Sequence, residues 1–288
     1  MNDFEYLEPS TIADACALLA THGEDARAMG GGTALLLAMR QRMLSPTHLV
    51  SLQRVQGLRG VHVAPDGTLA IGAATRHAEL AAAPAVRAGW PMLATMAANL
   101  ANPQVRNQGT IGGNLCYADP STDPPACLLT LDAQVLLQGP QGQRVLPLSA
   151  FLVDFFTTAL ASDELLVEIR VPPLPNGMRG HYMRHLRTPA AHRPLVTLAV
   201  LLEWQGSTCS AARIALGAAI PVARRMPAAE ALLAGRTPDA ALMAQVADHI
   251  ATGIDPLSDQ QGSADYRRDI VRVLAHRTLA QLCGLPEE

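Results

Sequence analysis

The chain has 288 residues, 49% of them hydrophobic and 16% charged, with a net charge of −3, so it can bury roughly 75% of its extended surface as a globular protein of two or three domains. Its basic residues are scattered, and no basic stretch is interleaved with aromatics, which excludes a nucleic-acid groove. The opening Met1-Asn2-Asp3-Phe4-Glu5 carries acids where a signal peptide needs a basic region, and no apolar run approaches the roughly 18 residues of a membrane span; a cytoplasmic chain without membrane insertion is expected.

In chain order, Ser10 reads as the N-cap of a helix that carries Ile12, Ala15, Cys16, Leu18 and Leu19 at helical spacing until Gly23. Arg27-Ala28-Met29 predicts a short strand that meets three glycines and gives way to residues 34–40, a run of strong helix formers. Residues 47–52 read as a strand. Val61-His62-Val63 and Leu69-Ala70-Ile71 flank Pro65-Asp66-Gly67, whose residue types suit a tight turn, so a hairpin is expected. Helices are expected near 77–82 and 91–100. A second hairpin brackets Gly139-Pro140-Gln141-Gly142, and 165–171 makes another strand before Pro172-Pro173-Leu174-Pro175-Asn176-Gly177 breaks both helix and strand. That break is read as a domain boundary. Beyond it, 195–204 and 212–218 are apolar strands joined across Gly206-Ser207, and the rest reads as helices. Neither half alternates strand and long helix regularly, which favours an α+β architecture over a doubly wound sheet or a barrel.

Two glycine-bearing segments stand out. Gly30-Gly31-Gly32-Thr33-Ala34 lies between a strand and a helix, where glycines let backbone N–H groups converge on an anion. It lacks the Gly-Lys-Ser/Thr of a nucleotidase loop, and Leu35 stands where a dinucleotide fold needs its third glycine; taken alone, a mere tight turn explains it equally well. The second is the stretch 102–114, read as a long polar loop inside an otherwise apolar chain, and such loops are usually functional. In it Gly112 and Gly113 can approach a ligand with bare backbone, while Thr110 and Asn114 offer hydroxyl and amide partners. Two such segments suggest one extended phosphate-containing ligand.

The run Arg106-Asn107-x-Gly-Thr-Ile-Gly-Gly-Asn114, followed by Asp-Pro-x-x-Asp123, resembles the signature of the FAD-binding medium subunits of the xanthine dehydrogenase and carbon monoxide dehydrogenase family. The similarity extends over nearly the whole chain, through the glycines before Thr33, Gly-Pro-x-Gly142, and Ser263-Ala264-Asp265-Tyr266-Arg267. It implies a two-lobed FAD domain of the vanillyl-alcohol-oxidase (PCMH) type over residues 1–175, with lobes of about 1–55 and 56–175, and a family-specific C-terminal domain over 176–288. By position, Gly30, Gly31, Gly32, Thr33 and Ala34, with Thr110, Ile111, Gly112, Gly113 and Asn114, would surround the FAD diphosphate. Leu100 and Leu165 would be apolar contacts to the cofactor, and Asp123 matches the acid that hydrogen-bonds the flavin. Where members often carry a lysine and then an acidic or tyrosine residue near the isoalloxazine, this chain has Arg184-His185 and His192-Arg193, which puts His185 among the cofactor residues. The resemblance further implies partners, a small subunit with 2Fe-2S clusters and a large subunit with the molybdopterin cofactor, in a dimer of heterotrimers.

Other tempting residues have plainer explanations. The five cysteines are dispersed, with no Cys-x-x-Cys, which fits buried thiols better than disulfides, zinc or iron-sulfur. His181 and His185 share no acid at ligand spacing. Ser121, Asp123 and His192 lie in no Gly-x-Ser-x-Gly elbow, so a hydrolase triad is set aside. Around Tyr266-Arg267-Arg268, a cap from Ser263 and a solvated face suffice. The expected function is an electron-transfer subunit, with two alternatives: a flavin-binding scaffold, and a stand-alone FAD- or NAD-dependent dehydrogenase, which would need a substrate pocket of its own.

Overall fold

The computed structural model describes residues 2–285. The chain opens with β1 (Glu5–Leu7), α1 (Ile12–His22), β2 (Ala26–Met29), α2 (Leu35–Arg40) and β3 (His48–Ser51). The three strands form a parallel sheet in the order β1-β3-β2, because helical crossovers return each strand in the same direction. The cap of α1 is Thr11, whose hydroxyl accepts from the Asp14 N–H at 3.1 Å, so Ser10 lies one residue too early. Ala15, Cys16 and Leu19 of α1 bury the face of this first lobe against Leu136, Leu165 and Val167 of the second.

The second lobe contains β4 (Val61–Val63), β5 (Leu69–Gly72), α3 (His77–Ala82), α4 (Pro84–Gly89), α5 (Pro91–Asn99), α6 (Pro103–Gln108), α7 (Ile111–Tyr117) and α8 (Pro124–Thr130). It continues with β6 (Gln134–Gly139), β7 (Gly142–Pro147), α9 (Leu148–Phe151), β8 (Leu152–Asp154), β9 (Thr157–Thr158) and β10 (Leu165–Val171). Its antiparallel sheet runs β4-β5-β10-β6-β7. Both expected hairpins are present, β4 with β5 and β6 with β7. The stretch expected as one polar loop is instead two short helices, α6 and α7. Asn102 and Thr110 each cap the helix that follows, and a capped polar segment can be helical without an apolar stripe.

The third unit is β11 (Arg179–His185), β12 (Val196–Gln205), β13 (Thr208–Gly217), β14 (Arg224–Arg225), α10 (Pro227–Leu233), α11 (Ala240–Thr252) and α12 (Ala264–Cys283). Its sheet runs β11-β12-β13-β14, antiparallel throughout. The continuous apolar run of β12 follows from burial on both faces. Alternate residues Val196, Leu198, Val200 and Leu202 pack on α10, α11 and α12, while Ala199 and Leu201 join the core of the second lobe with Tyr182 and Ala215. One core therefore runs from the second lobe into the third unit, and β11 lies where the two meet. Arg267, expected on a solvated face, is 1% exposed. It donates to the Leu195 and Ala218 carbonyls and pairs with Asp259, tying the start of α12 to the ends of β12 and β13. Among the described residues, no helix is long and apolar enough to cross a membrane.

Candidate functional site

β2 delivers the chain into residues 30–34. Gly32 takes φ +71°, a conformation that costs an L side chain strain, and its carbonyl accepts from the Leu36 N–H to start α2. The amides of Gly31, Gly32, Thr33 and Ala34 have no acceptor within the chain among the described residues. Four successive backbone donors left in this way are available to an anion. Thr33 is exposed beside them and Ala34 is half-buried.

The second glycine segment packs directly on the first. A β-carbon on Gly31 would stand 2.1 Å from the Gln108 carbonyl oxygen, and one on Gly30 would stand 2.7 Å from Thr110 Oγ1. The amides of this second segment are already committed inside the chain. Ile111 N–H donates to Thr75 O, Gly112 N–H to Ala73 O, Gly113 N–H to Thr110 Oγ1 and Asn114 N–H to Thr110 O. The Asn114 side chain exchanges hydrogen bonds with Thr122, at 2.7 and 3.1 Å. Ile111 is buried, and Gly112 has its α-carbon against Ala73, where a β-carbon would meet that residue at 2.5 Å. Gly113 alone of this group faces solvent. The division of labour is thus unequal: the first loop holds free donors, and the second packs an already bonded backbone against it.

Beneath the junction lies His77, which neither motif nor resemblance singled out. Its N–H donates to Gly109 O at 3.2 Å. A β-carbon on Gly109 would stand 3.4 Å from the imidazole Cδ2 and 3.3 Å from Thr33 Oγ1. The ring is 2% exposed, its Nδ1 has no partner, and burial pushes its pKa down to about 4, so it is a neutral support for Gly109.

Asp123, at the start of α8, is 2% exposed. Its Oδ1 accepts from the Tyr182 hydroxyl at 2.5 Å and lies 3.2 Å from Arg184 Nε, within ion-pair distance though not aligned as a hydrogen bond. Burial raises the Asp123 pKa to about 6, against the opposing pull of Arg184 and the Tyr182 hydrogen bond. Arg184 also donates to the carbonyls of Asn99 and His192, and Arg193 pairs with Asp119 at 2.9 Å. The end of β11 and the segment after it are thereby clasped to the end of α5 and to the connection between α7 and α8. His185 turns the other way, its Nε2 3.1 Å from the Tyr266 hydroxyl, and partial burial lowers its pKa. Leu100 and Leu165 are both core residues, the first beside the Arg106 guanidinium that its carbonyl accepts and the second between the lobes. The structure therefore gathers the two glycine segments closely. Asp123 is joined to them through Thr122 and Asn114, and His185 lies on the third unit.

Residues 2–174 match the family model described as the FAD binding domain in molybdopterin dehydrogenase, and residues 181–282 match the CO dehydrogenase flavoprotein C-terminal domain. The chain is 36% identical over 278 residues to subunit alpha of the 6-hydroxypseudooxynicotine dehydrogenase complex of Paenarthrobacter nicotinovorans, covering 96% of this chain and 94% of that one. It is 35% identical to the carbon monoxide dehydrogenase medium chain of Hydrogenophaga pseudoflava, covering 96% of each. Among solved structures, carbon monoxide dehydrogenase from Hydrogenophaga pseudoflava superposes with a TM-score of 0.93 at 36% identity, covering 96% of each chain. Quinoline 2-oxidoreductase from Pseudomonas putida 86 gives a TM-score of 0.93 at 30% identity, covering 98% of each chain.

Proposed function

The chain belongs to the FAD-binding medium subunits of the molybdopterin dehydrogenases, and from that premise we propose that it receives electrons from 2Fe-2S clusters of a small partner subunit and passes them to an external acceptor. The observation that carries the cofactor side of this reading is the pairing of the glycine segments. The amides of Gly31, Gly32, Thr33 and Ala34 are unspent, and the exposed Gly113 reaches the same Thr110 hydroxyl that Gly30 packs against. These residues fit a diphosphate, because only backbone N–H groups and absent β-carbons are asked of them.

Bound FAD supplies the electron chemistry; the protein holds it, orients it and sets its surroundings. Residues 31–34 would neutralise the diphosphate by hydrogen bonding, and Gly113 would admit it, with Gly112 packed behind it on Ala73. Asp123, clasped by the third unit, would accept a hydrogen bond from the flavin. We divide the chain into a two-lobed FAD domain over 1–175 and a C-terminal domain over 176–288.

No group of three or more His, Cys, Asp or Glu among the described residues could hold a metal ion. The relatives are named as medium chains and as subunits of dehydrogenase complexes. The reading therefore places the 2Fe-2S clusters in a small subunit and the molybdopterin cofactor in a large one, assembled as a dimer of heterotrimers. The substrate would be chosen in the large subunit. Anaerobic mixing with substrate tests this reading: the visible flavin absorbance should bleach in the complete complex and stay unchanged in the isolated chain. A flavin that remained oxidised while the complex consumed substrate would overturn the electron-transfer role.

A further inference from the structure

Asp123 is followed by Pro124 and Pro125, the first two residues of α8. An aspartate at this position ordinarily turns its carboxylate onto the N–H groups of its own helix. Here the first two are missing, since proline has none, and the Asp123 side chain makes no cap. Its contacts come from another domain. Tyr182 and Arg184, alternate residues of β11, both reach Oδ1, at 2.5 and 3.2 Å. Oδ2 has no hydrogen-bond partner in the chain and is not among the sealed, orphaned side-chain atoms, so it is the oxygen left for an outside donor. Tyr182 itself is a core residue, packed in one cluster with Ala199 and Leu201, and its hydroxyl is spent on Asp123.

We propose that Tyr182 is a positioning residue for the flavin: its phenol, with Arg184, fixes one oxygen of Asp123 so that the other is presented to the cofactor. The C-terminal domain thereby governs an acceptor that belongs to the FAD domain. This rests on the reading of Asp123 as the flavin's hydrogen-bond acceptor. A carboxylate so nearly buried has few ways to keep its orientation, and a hydrogen bond to a charged group is the strongest available to a neutral phenol. The groups that face Asp123 electrostatically are Arg184 and Tyr182 from β11, with Cys127 one turn along α8.

The test is a double-mutant cycle on the full chain, with FAD affinity and the visible flavin spectrum as readouts. Tyr182→Phe removes one oxygen and keeps the packing. It should weaken FAD binding about tenfold, and Asp123→Asn should weaken it at least as much. The double variant should be no weaker than Asp123→Asn alone. Tyr182→Phe should also move the acid limb of FAD affinity to higher pH, because the hydrogen bond that favours the carboxylate is gone; a purely structural role would not move that limb. Additive effects, or an unmoved limb, would overturn the positioning role while leaving Asp123 in place. An Asp123→Asn chain with unchanged affinity and spectrum would overturn the Asp123 reading itself, and the proposal with it. Should Tyr182→Phe fail to fold, the same limb measured on Arg184→Gln decides whether β11 governs Asp123.

Discussion

Gly31 and the Gln108 carbonyl are so close that a β-carbon on the glycine would stand 2.1 Å from the oxygen. That contact joins two glycine segments 77 residues apart in sequence into one surface.

Gly31→Ala should therefore separate the segments, because backbone atoms, unlike the end of a flexible side chain, cannot swing away. Acid-released FAD per chain is expected to fall at least tenfold, with a lowered melting temperature. Full FAD occupancy in Gly31→Ala would mean that the two segments need not touch.

Gly113→Val should act differently. A β-carbon there meets only Thr110 Oγ1, at 2.8 Å, and the position faces solvent. The branched side chain would stand over the surface proposed for the diphosphate. Cofactor occupancy should collapse while the far-ultraviolet circular dichroism and melting temperature stay close to those of the parent. A folded Gly113→Val chain that kept its FAD would remove the second segment from the site.

His77 makes a prediction in pH. Its folded pKa is about 4 against an ordinary 6.5, so between these values the unfolded chain binds more protons and stability falls as pH falls. The loss amounts to about 3 kcal/mol by pH 4. Asp123, raised to about 6, acts with the opposite sign over an overlapping window, so the contribution is read as the difference between the parent chain and His77→Gln. Urea unfolding at pH 7 and at pH 4.5 should show a gap that shifts in favour of His77→Gln at the lower pH. A gap independent of pH would show that His77 is not buried as a neutral ring.

Arg267→Met should destabilise the chain by about 3 kcal/mol, since it leaves the buried Leu195 and Ala218 carbonyls without their donor and Asp259 without its cation. Equilibrium unfolding in denaturant measures this. A loss below about 0.5 kcal/mol would mean that water replaces the guanidinium.

Periodicity and turn chemistry were enough to read the hairpins β4–β5 and β6–β7 and the long strands β12 and β13, because each has a local signature: alternation, a Gly-bearing turn, or an unbroken apolar run. The helices α6 and α7 were not legible. Their caps Asn102 and Thr110 are local, but no apolar stripe marks them, and the bonds from α7 to Thr75 and Ala73 are ones that only the folded chain brings together. β11 was missed for a similar reason. Arg184 interrupts its apolar pattern because the face it shares with Tyr182 serves a polar clasp around Asp123, while His185 on the opposite face meets Tyr266. The glycine segments were readable as motifs, yet the sequence could not say that only the first keeps its amides free. His77 and Tyr182 carried no signal in spacing or motif; their surroundings become visible only once β5, α3 and β11 are placed.

Hydrogen exchange of the purified chain with and without added FAD tests the central claim most directly. The account predicts that noncovalently bound FAD protects the amides of Gly31, Gly32, Thr33 and Ala34, which have no acceptor in the chain. It predicts little change at residues 111–114, whose amides are already bonded. A chain that binds no FAD, or one whose residues 31–34 exchange equally fast with FAD bound, would contradict it.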